Sequence, residues 1–360
     1  MKKWKVGIVG LSRGKGFAQV FSGHERIEVA ALCDINPQTL ADVGKVFKLA
    51  DRQLFTDFDA FLGAGINIVM VATPIREHAA QTIKSLEAGK HVLCEQTAAY
   101  TLKDCQTIVN AVKKSGKTYM MAENYSYFYY AQEWKKRVQA GEIGDVYYAE
   151  GEYLHGIQEL LRNEKTGEYY WRHDRPAIWY CAHTLGPILT ILGDDRIVKG
   201  CGSATGFRTR PDQKDHIGFL DMEIGLFRTE KNRLIKILRS QVVQRTMVWY
   251  SLYGTKGYIE NGRLDGGQTL LHMAGNTHDD SRDEVLPLPL SDPNAPKGAD
   301  AGGHGTCEYY MIRDFLDAIE QGRRPPIDVM RSMDMTVPGL IAHESAMSDG
   351  NWRDVPLFNW

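Results

Sequence analysis

Short apolar runs alternate with segments of helical periodicity through the first third of the chain. The runs are typical of buried strands, and the segments between them carry apolar residues at every third or fourth position. Helices are predicted from about His78 to Ala88 and from about Leu102 to Ser115. The predicted strands are Lys5–Val9, Val29–Cys33, Ile66–Ala72, His91–Cys94 and Thr118–Ala122. Repeated strand–helix units with short links predict a parallel, doubly wound α/β sheet.

The pattern changes after about residue 124. A helix from about Ala131 to Gln139 precedes the alternating segment Val146–Tyr153, and short turns join the runs that follow. The further strand-like runs are Ile217–Phe227, Leu234–Val243, Met247–Tyr253 and Gly257–Glu260. Successive strands with short connections predict a mostly antiparallel sheet. An exposed loop is expected at Pro293–Gly305, and two helices close the chain, at about Cys307–Gln321 and Arg331–Ser348.

This change predicts two domains, residues 1–123 and residues 124–360. A chain of 360 residues is long for one ordinary domain and comfortable for two. The two closing helices are assigned to the second domain, with packing against the first domain as the alternative.

Composition excludes several classes of function. Hydrophobic content of 43% and charged content of 24% are those of a soluble globular protein. A net charge of -2 supplies no basic field for nucleic acid and no polybasic patch for a membrane surface. The six cysteines form no C-x-x-C pair and suggest reduced thiols, and no run approaches the roughly 18 apolar residues of a membrane helix. The expected location is therefore the cytoplasm.

The first 34 residues predict a nucleotide site. A strand enters a glycine-rich turn, a helix follows, and the second strand ends on Asp34. Glycines let the backbone approach a pyrophosphate, while the helix N-terminus supplies N–H groups and a positive dipole. The fingerprint is irregular because Ser12 stands where a glycine is expected. The cofactor-binding candidates in this turn are Gly10, Leu11, Ser12, Arg13 and Gly14.

Asp34 indicates which nucleotide binds. A carboxylate at the end of the second strand accepts hydrogen bonds from ribose hydroxyls and repels a 2′-phosphate, so NAD is preferred to NADP. No Arg or Lys follows directly in Ile35-Asn36-Pro37 to reverse this preference. The alternative is that Asp34 only caps the turn at Asn36.

Other candidates come from the ends of strands and from polar clusters. Thr73, Glu95 and Glu123 follow predicted parallel strands, where ligands bind in open α/β sheets. Trp171 and Arg172 place an aromatic ring beside a charged donor, a combination suited to a polyol. A metal is not expected, since the donors His272, His278, Asp279, Asp280 and His304 match no ligand spacing.

Thr73-Pro74 with His78, followed by Gly89-Lys90-His91-Val92-Leu93-Cys94-Glu95, resembles the Gfo/Idh/MocA family of glucose–fructose oxidoreductase-like and inositol dehydrogenase-like enzymes. The resemblance covers essentially the whole chain. It implies a Rossmann domain joined to an α/β domain with a large open sheet, and oxidation or reduction of a sugar or cyclitol with NAD(P). It also implies assembly into a homodimer or homotetramer through that sheet. The cofactor-binding residues that it implies are Thr73, Pro74, His78, Glu95 and Asn124.

The chain departs from the family where the chemistry takes place. The family usually has Glu-Lys-Pro, and this chain has Glu95-Gln96-Thr97. An amide can orient a hydroxyl but cannot take its proton near neutral pH, and loss of the proline is expected to remove an often cis peptide. His183 matches a family histidine and becomes the leading acid–base candidate. Tyr180 lies three residues earlier and shares a helical face with it if the helix already begins there.

Three further segments resemble one branch of the family, the NAD-dependent α-N-acetylgalactosaminidase-type glycosidases, which also lack the lysine. They are Met120–Tyr125, Ala149–His155 and Tyr180–Pro187. That branch oxidises a sugar transiently, eliminates the glycosidic group, adds water and reduces the sugar again. The resemblance implies that Glu123, Asn124 and His155 contact the sugar, although His155 is equally well explained as a surface residue that closes its strand.

Three hypotheses of function follow. The first is an NAD-dependent oxidoreductase that acts on a carbohydrate or cyclitol hydroxyl, with His183 as acid–base and with Gln96 and Tyr180 orienting the hydroxyl. The second keeps the cofactor and makes the net reaction glycoside cleavage or elimination. The third is a nucleotide-binding sensor without activity. The substrate is expected to be a small sugar or glycoside.

Overall fold

The structure is a computed structural model that describes residues 3–263, 268–275 and 280–358. The chain forms two compact units. The first contains the described parts of Met1–Phe128 and Phe358–Trp360 together with Leu290–Met333. The second contains the described part of Tyr129–Pro289 together with Asp334–Leu357. The helix Cys307–Gln321 in the C-terminal region therefore belongs to the first unit.

The first unit is built on a parallel sheet. Its described strands lie in the order β3-β2-β1-β4-β5-β6, and every neighbouring pair runs parallel. The strands are β1 (Trp4–Val9), β2 (Ile27–Cys33), β3 (Leu54–Phe55), β4 (Ile68–Val71), β5 (His91–Glu95) and β6 (Tyr119–Ala122). The strand order reverses between β1 and β4, which is where such sheets open a ligand crevice at their carboxyl ends.

Helices connect the strands of this sheet, and local capping fixes where several of them begin. The Asn36 side chain accepts hydrogen bonds at the start of α2, and Asp57 and Thr101 do the same for α3 and α5. Gly116, at φ 63°, ends α5 in the left-handed conformation that glycine favours. The helices are α1 (Leu11–Gly23), α2 (Pro37–Val46), α3 (Phe58–Leu62), α4 (Ile75–Glu87), α5 (Leu102–Ser115) and α8 (Cys307–Gln321).

The second unit is built on a mixed sheet. Its described strands lie in the order β14-β13-β12-β11-β7-β10-β9-β8-β15. Neighbouring strands are antiparallel except β7 and β10, which run parallel. The strands are β7 (Val146–Leu154), β8 (Ile197–Ala204), β9 (Glu223–Thr229), β10 (Leu234–Ser240), β11 (Met247–Gly254), β12 (Gly257–Asn261), β13 (Thr269–Met273), β14 (Arg282–Leu286) and β15 (Arg353–Asp354). The predicted fold class, a doubly wound sheet followed by a mostly antiparallel one, is confirmed.

Close backbone approach fixes the packing of helix α7 on this sheet. A Cβ atom on Gly151 of β7 would lie 3.1 Å from the Thr184 side chain, so glycine there lets the helix lie directly on the strand. The helices of the second unit are α6 (Tyr129–Gln139), α7 (Ala182–Leu192) and most of α9 (Val329–Ala346). Among the described residues, no helix has both the length and the apolar character needed to span a bilayer.

Several predicted elements differ from the structure. The run Ile217–Phe227 is a short 3₁₀ turn at Ile217–Phe219 followed by β9, and Phe219 is buried in a small cluster with Leu161 and Val242. The apolar residues at the start of this run therefore fill a local core instead of pairing in a ladder. The loop Pro293–Gly305 is irregular as predicted, but Ala299 within it is buried. Strands β3, β8, β13, β14 and β15 were not predicted.

Candidate active site

The glycine-rich turn lies at the reversal of strand order in the first sheet. Gly10 has φ 85°, and a Cβ atom there would lie 2.6 Å from the backbone nitrogen of Thr73. Helix α1 begins at the next residue and carries no acidic side chain in its first turn. Ser12 and Gly14 lie in that turn, and the Gly14 amide donates to the Gly10 carbonyl at 2.9 Å. This helix N-terminus suits an anionic group such as a pyrophosphate.

Asp34 bridges two elements of the turn. One carboxylate oxygen accepts from the amide of Leu11 at 2.7 Å, and the other accepts from the amide of Asn36 at 2.9 Å. The contact with Asn36 is the one expected if Asp34 caps the turn. The position of Asp34 at the end of β2 also suits an acceptor of ribose hydrogen bonds. A carboxylate oxygen has more than one lone pair, so the two roles are compatible.

Arg13 lies in an ion-pair network. Its guanidinium contacts Glu95 at 2.8 Å and Glu308 at 2.8 Å, and His304 contacts the same Glu308 oxygen at 2.8 Å. Burial lowers the pKa of Arg13, but the two carboxylates outweigh it and keep that pKa above its ordinary value. Burial likewise raises the pKa of Glu308, whereas the His304 and Arg13 contacts bring it below the ordinary value. Sequence reasoning missed Glu308 because it lies in a distant helix.

His78 connects two predicted cofactor segments. Its ring nitrogens lie 2.9 Å from the Thr73 carbonyl and 2.8 Å from the Thr97 carbonyl. A ring that faces two acceptors is best satisfied when both nitrogens carry protons. Burial lowers the pKa of His78, but Cys94 and the two carbonyls outweigh burial and raise it to about 9. His78 therefore fixes the turn before Pro74 relative to the Gln96–Thr97 peptide.

Gln96 occupies the place of the family lysine and is 2% exposed. Its backbone N–H donates to a Glu95 carboxylate oxygen at 2.7 Å. The Gln96–Thr97 peptide is cis, so the expectation that loss of proline removes this geometry is wrong. Neighbouring hydrogen bonds hold this peptide on both sides, from Glu95 before it and from His78 after it.

Asn124 and Glu123 follow strand β6 and are both buried. A Glu123 carboxylate oxygen accepts from the Tyr125 amide at 3.0 Å, which caps the 3₁₀ turn Asn124–Tyr127. Within the described parts of the chain, the buried Asn124 Oδ1 has no hydrogen-bond partner. Because an unsatisfied buried oxygen is costly, this atom is suited to accept from a ligand N–H. Together with the glycine turn, it shows that the residues present fit a dinucleotide.

In the second unit, Tyr180 and His183 are in edge contact. Their ring centroids lie 5.1 Å apart at an interplanar angle of 89°. The condition for a shared helical face is not met, since α7 begins at Ala182 and Tyr180 ends a 3₁₀ turn, Ala177–Tyr180. His183 is 5% exposed, and the Tyr250 hydroxyl donates to its backbone carbonyl. The contact survives because the 3₁₀ turn leads directly into the helix.

Tyr153 joins His155 to His183. Its hydroxyl lies 2.8 Å from His155 Nδ1, and its ring lies edge-on to His183 at 5.2 Å. Sequence reasoning proposed both histidines and missed the tyrosine between them. The two-residue period of a strand could have indicated Tyr153, because residues 153 and 155 then point to the same face.

Three arginines and His155 line a cavity beside this cluster. Arg239 lies 4.2 Å over the Tyr153 ring, Arg175 lies 4.5 Å over the Tyr180 ring, and Arg172 lies 4.2 Å over the Trp171 ring. The lining residues are His155, Ile157, Leu160, Arg172, Arg175, Tyr180, Arg239 and Gln241. Arg239 lies on the same face of its strand as the buried Ile235 and Ile237. A charged residue among alternating apolar residues was the sequence signal for Arg239, and it was overlooked.

Within residues 3–263, 268–275 and 280–358, no group of three or more His, Cys, Asp or Glu is arranged to hold a metal ion. His272 pairs with Asp283 at 2.6 Å, and His304 pairs with Glu308. The candidate donors His278 and Asp279 lie outside the described residues.

A parallel sheet with a glycine turn at its reversal point and an acid at the end of its second strand defines a dinucleotide-binding Rossmann domain. Residues 4–123 match the model of the Gfo/Idh/MocA oxidoreductase family, which is described by its NAD-binding Rossmann fold. The predicted recognition of this family, the NAD cofactor and the oxidoreductase class are therefore confirmed at the level of the family.

Relatives and solved structures extend the likeness over the whole chain. An α-N-acetylgalactosaminidase of Shewanella oneidensis is 26% identical over 99% of this chain and 85% of its own length. A glycosyl hydrolase family 109 protein of Solibacter usitatus is 24% identical over 98% of this chain and 88% of its own length. A levoglucosan dehydrogenase in complex with NADH and L-sorbose has a TM-score of 0.83 at 19% identity, over 99% of this chain and 100% of that one. The last likeness shows the fold.

Proposed function

We propose that this protein is an NAD-dependent enzyme that oxidises a carbohydrate hydroxyl by hydride transfer. The observation that carries the proposal is the cluster in which Tyr180 and Tyr153 both lie edge-on to His183, next to a cavity that Tyr180 lines. Such a cluster places an acid–base group beside space for a polar ligand, while the first unit supplies the residues for NAD.

His183 is assigned the proton transfer. Its imidazole accepts the proton of the reacting hydroxyl as the carbon–hydrogen bond breaks, because a neutral imidazole is a competent base near neutral pH. NAD, when bound, accepts the hydride. Tyr180 orients the hydroxyl, and the Gln96 amide donates a hydrogen bond without taking a proton.

Carbohydrate is the proposed substrate class because of the relatives. The Shewanella protein is named for a glycoside of N-acetylgalactosamine, and the levoglucosan dehydrogenase complex contains L-sorbose. Arg172 lines the cavity and stacks on Trp171, so the pair supplies donors and a flat apolar surface, a combination that suits a sugar ring.

Redox-neutral glycoside cleavage is the second candidate, favoured by Gln96. Oxidation of one hydroxyl makes the neighbouring C–H acidic, elimination then expels the aglycone, water adds, and the hydride returns to carbon. Such a cycle needs no net proton acceptor at position 96. The relatives aligned over nearly the whole chain carry glycosidase names.

Incubation with NAD and a panel of aryl glycosides tests both candidates. NADH absorbance and aglycone release are followed together. Steady NADH formation supports net oxidation, whereas aglycone release with no net NADH supports the cleavage cycle. NAD-independent release, or activity unchanged by His183→Gln, contradicts both.

We also propose assembly into a homodimer or homotetramer through the open face of the second sheet. Half-buried rings form a row across four strands, with Tyr253 5.8 Å from Tyr148 and 5.4 Å from Tyr258, and Tyr258 5.0 Å from His272. Light scattering of wild type and Tyr253→Lys tests this, because a lysine in the row is expected to favour the monomer.

A further inference from the structure

Arg13 joins three separate segments of the first unit. Its Nε atom donates to Glu95 at 2.8 Å, and one terminal nitrogen donates to Glu308 at 2.8 Å. The other terminal nitrogen donates to the Gly302 carbonyl at 3.2 Å. Three nitrogens of one guanidinium therefore engage three protein acceptors, which the single nitrogen of a lysine cannot do.

Glu95 extends these contacts to Gln96. One oxygen of its carboxylate accepts from Arg13, and the other accepts from the Gln96 backbone N–H at 2.7 Å. Glu95 is the last residue of β5, so this contact acts where the chain leaves the sheet. In the proposed function, Gln96 orients the reacting hydroxyl. A displacement of the Glu95 carboxylate is therefore passed on to a residue of the reaction site.

Glu308 lies at the far end of this series of contacts. Its side chain is 0% exposed, so a bound cofactor or substrate does not touch it. The half-buried His304 contacts the same oxygen as Arg13. A buried salt bridge adds little net stability, because the cost of desolvating its charges offsets their attraction. The position of these charges is better explained by what they hold in place.

We propose that Arg13 and Glu308 are positioning residues for Gln96. Glu308 fixes the Arg13 guanidinium, and Arg13 in turn fixes the Glu95 carboxylate that holds the Gln96 backbone. This role belongs to the Arg13 side chain, whereas its backbone lies in the first turn of α1, where an anion is favoured. The effect on turnover rests on the proposed function, and the effect on the Gln96 backbone does not.

Hydrogen exchange of the Gln96 amide tests the proposal in the full-length protein without cofactor. This N–H is buried and hydrogen-bonded, so it should exchange slowly in the wild type. Arg13→Lys keeps the charge but cannot reach all three acceptors, and Glu308→Gln keeps an acceptor but removes the charge. In both variants we expect the Gln96 amide to exchange at least about tenfold faster. Mass spectrometry with residue resolution measures the rates.

Arg26 supplies a matched control. It also joins two carboxylates of α8, since it contacts Asp317 at 2.7 Å and Glu320 at 3.0 Å. Arg26→Lys and Asp317→Asn repeat the two substitutions at the other end of that helix. They should leave the Gln96 exchange rate unchanged, because Arg26 contacts the C-terminal end of α8. Thermal melting of all four variants checks that their losses of stability are similar.

Cofactor binding and turnover distinguish positioning from direct contact with the pyrophosphate. In Glu308→Gln, the dissociation constant of NADH should stay within about threefold of the wild-type value, because binding energy common to all states is retained. At saturating NAD, kcat should fall by about tenfold or more, since small displacements of positioned groups slow a reaction strongly. Fluorescence titration gives the dissociation constant, and initial rates give kcat.

Each outcome decides a separate point. Unchanged Gln96 exchange in folded Arg13→Lys and Glu308→Gln overturns the inference, as does equally fast exchange in the Arg26 and Asp317 variants. NADH binding weakened by about tenfold or more with unchanged Gln96 exchange assigns the Arg13 side chain to the pyrophosphate instead.

Two further outcomes separate the inference from the proposed function. Selectively faster exchange with unchanged kcat in an active enzyme overturns the effect on turnover. Selectively faster exchange in a protein that transfers no hydride supports the positioning of Gln96 and contradicts the proposed function.

Discussion

The two oxygens of the Asp34 carboxylate accept hydrogen bonds from the backbone amides of Leu11 and Asn36. In our proposal the same oxygens also accept from the ribose of the cofactor. Asp34→Asn keeps an acceptor for the Leu11 amide but removes the charge. We expect about tenfold weaker NAD binding and a smaller preference over NADP, since the carboxylate no longer accepts two ribose hydrogen bonds or repels a 2′-phosphate. Calorimetric dissociation constants for both cofactors measure this.

Asp42→Asn is the control for that experiment. This carboxylate is exposed and contacts only Gln38 among the described hydrogen-bonded groups. The NAD affinity of the Asp42→Asn variant should match that of the wild type. If Asp34→Asn bound NAD and NADP with the same two affinities as the wild type, Asp34 would only cap the turn.

His183→Gln is expected to lower turnover about 10²- to 10⁴-fold, the usual contribution of a positioned acid–base group. NAD affinity should stay unchanged, because the change lies outside the cofactor-binding unit. Initial rates and NAD titration are measured on the same preparation. His272→Gln, at a half-buried position on strand β13, serves as control. Full activity of both variants would remove His183 from the mechanism.

The individual site residues were only partly predictable. His155, Tyr180 and His183 were proposed from sequence, and the structure brings them together. Arg239 was missed because its role depends on strands β7 and β10 lying side by side, which sets it opposite Tyr153. No local pattern shows that an arginine in one strand faces a tyrosine in another.

Helix α1 depends on a glycine at its start. Gly10→Ala forces a side chain into φ 85° and to within 2.6 Å of the Thr73 nitrogen. We expect a loss of about 1–3 kcal/mol in the free energy of unfolding, together with weaker NAD binding. Urea denaturation and NAD titration measure the two effects.

Gly23→Ala, at the other end of α1, is the matched control. A Cβ atom there has no neighbour within 4 Å. Stability should stay the same or rise by about 0.4–1 kcal/mol, since alanine restricts the unfolded chain. If the two variants behaved alike, the close approach at Gly10 would not matter.

The elements themselves were predicted unevenly. The predicted bounds of the helix Cys307–Gln321 agree with the structure, because its apolar period is uninterrupted and Gly322 ends it in a left-handed conformation. The prediction of one strand over Ile217–Phe227 was wrong because the apolar side chains at its start pack in a local cluster, and only its later residues pair in strand β9. Strands of two residues, such as β3 and β15, carry too little pattern to detect.

The protein as a whole should lose stability in mild acid. Burial, followed by nearby positive charge, lowers the pKa of His155 to about 3 and that of His91 to about 4. Unfolded histidine has a pKa near 6.5, so between these values the unfolded chain binds more protons. The free energy of unfolding therefore falls as the pH drops from about 6.5 towards 4.

Urea midpoints across this pH range measure the effect, and His91→Gln should flatten the curve. His78 acts in the opposite sense, because its pKa is raised to about 9. Its contribution is complete below the unfolded pKa near 6.5 and fades as the pH rises towards 9. A stability profile that does not change between pH 7 and pH 4 would contradict the neutral state of His91 and His155.

The stacking of Arg172 on Trp171 has an optical consequence. The guanidinium lies 4.2 Å from the ring centre of a partly exposed indole. An occupant of the cavity that draws Arg172 towards itself changes the electric field at that ring. Tryptophan emission is sensitive to such fields, so Trp171 is a natural fluorophore that can report how full the cavity is without any added label.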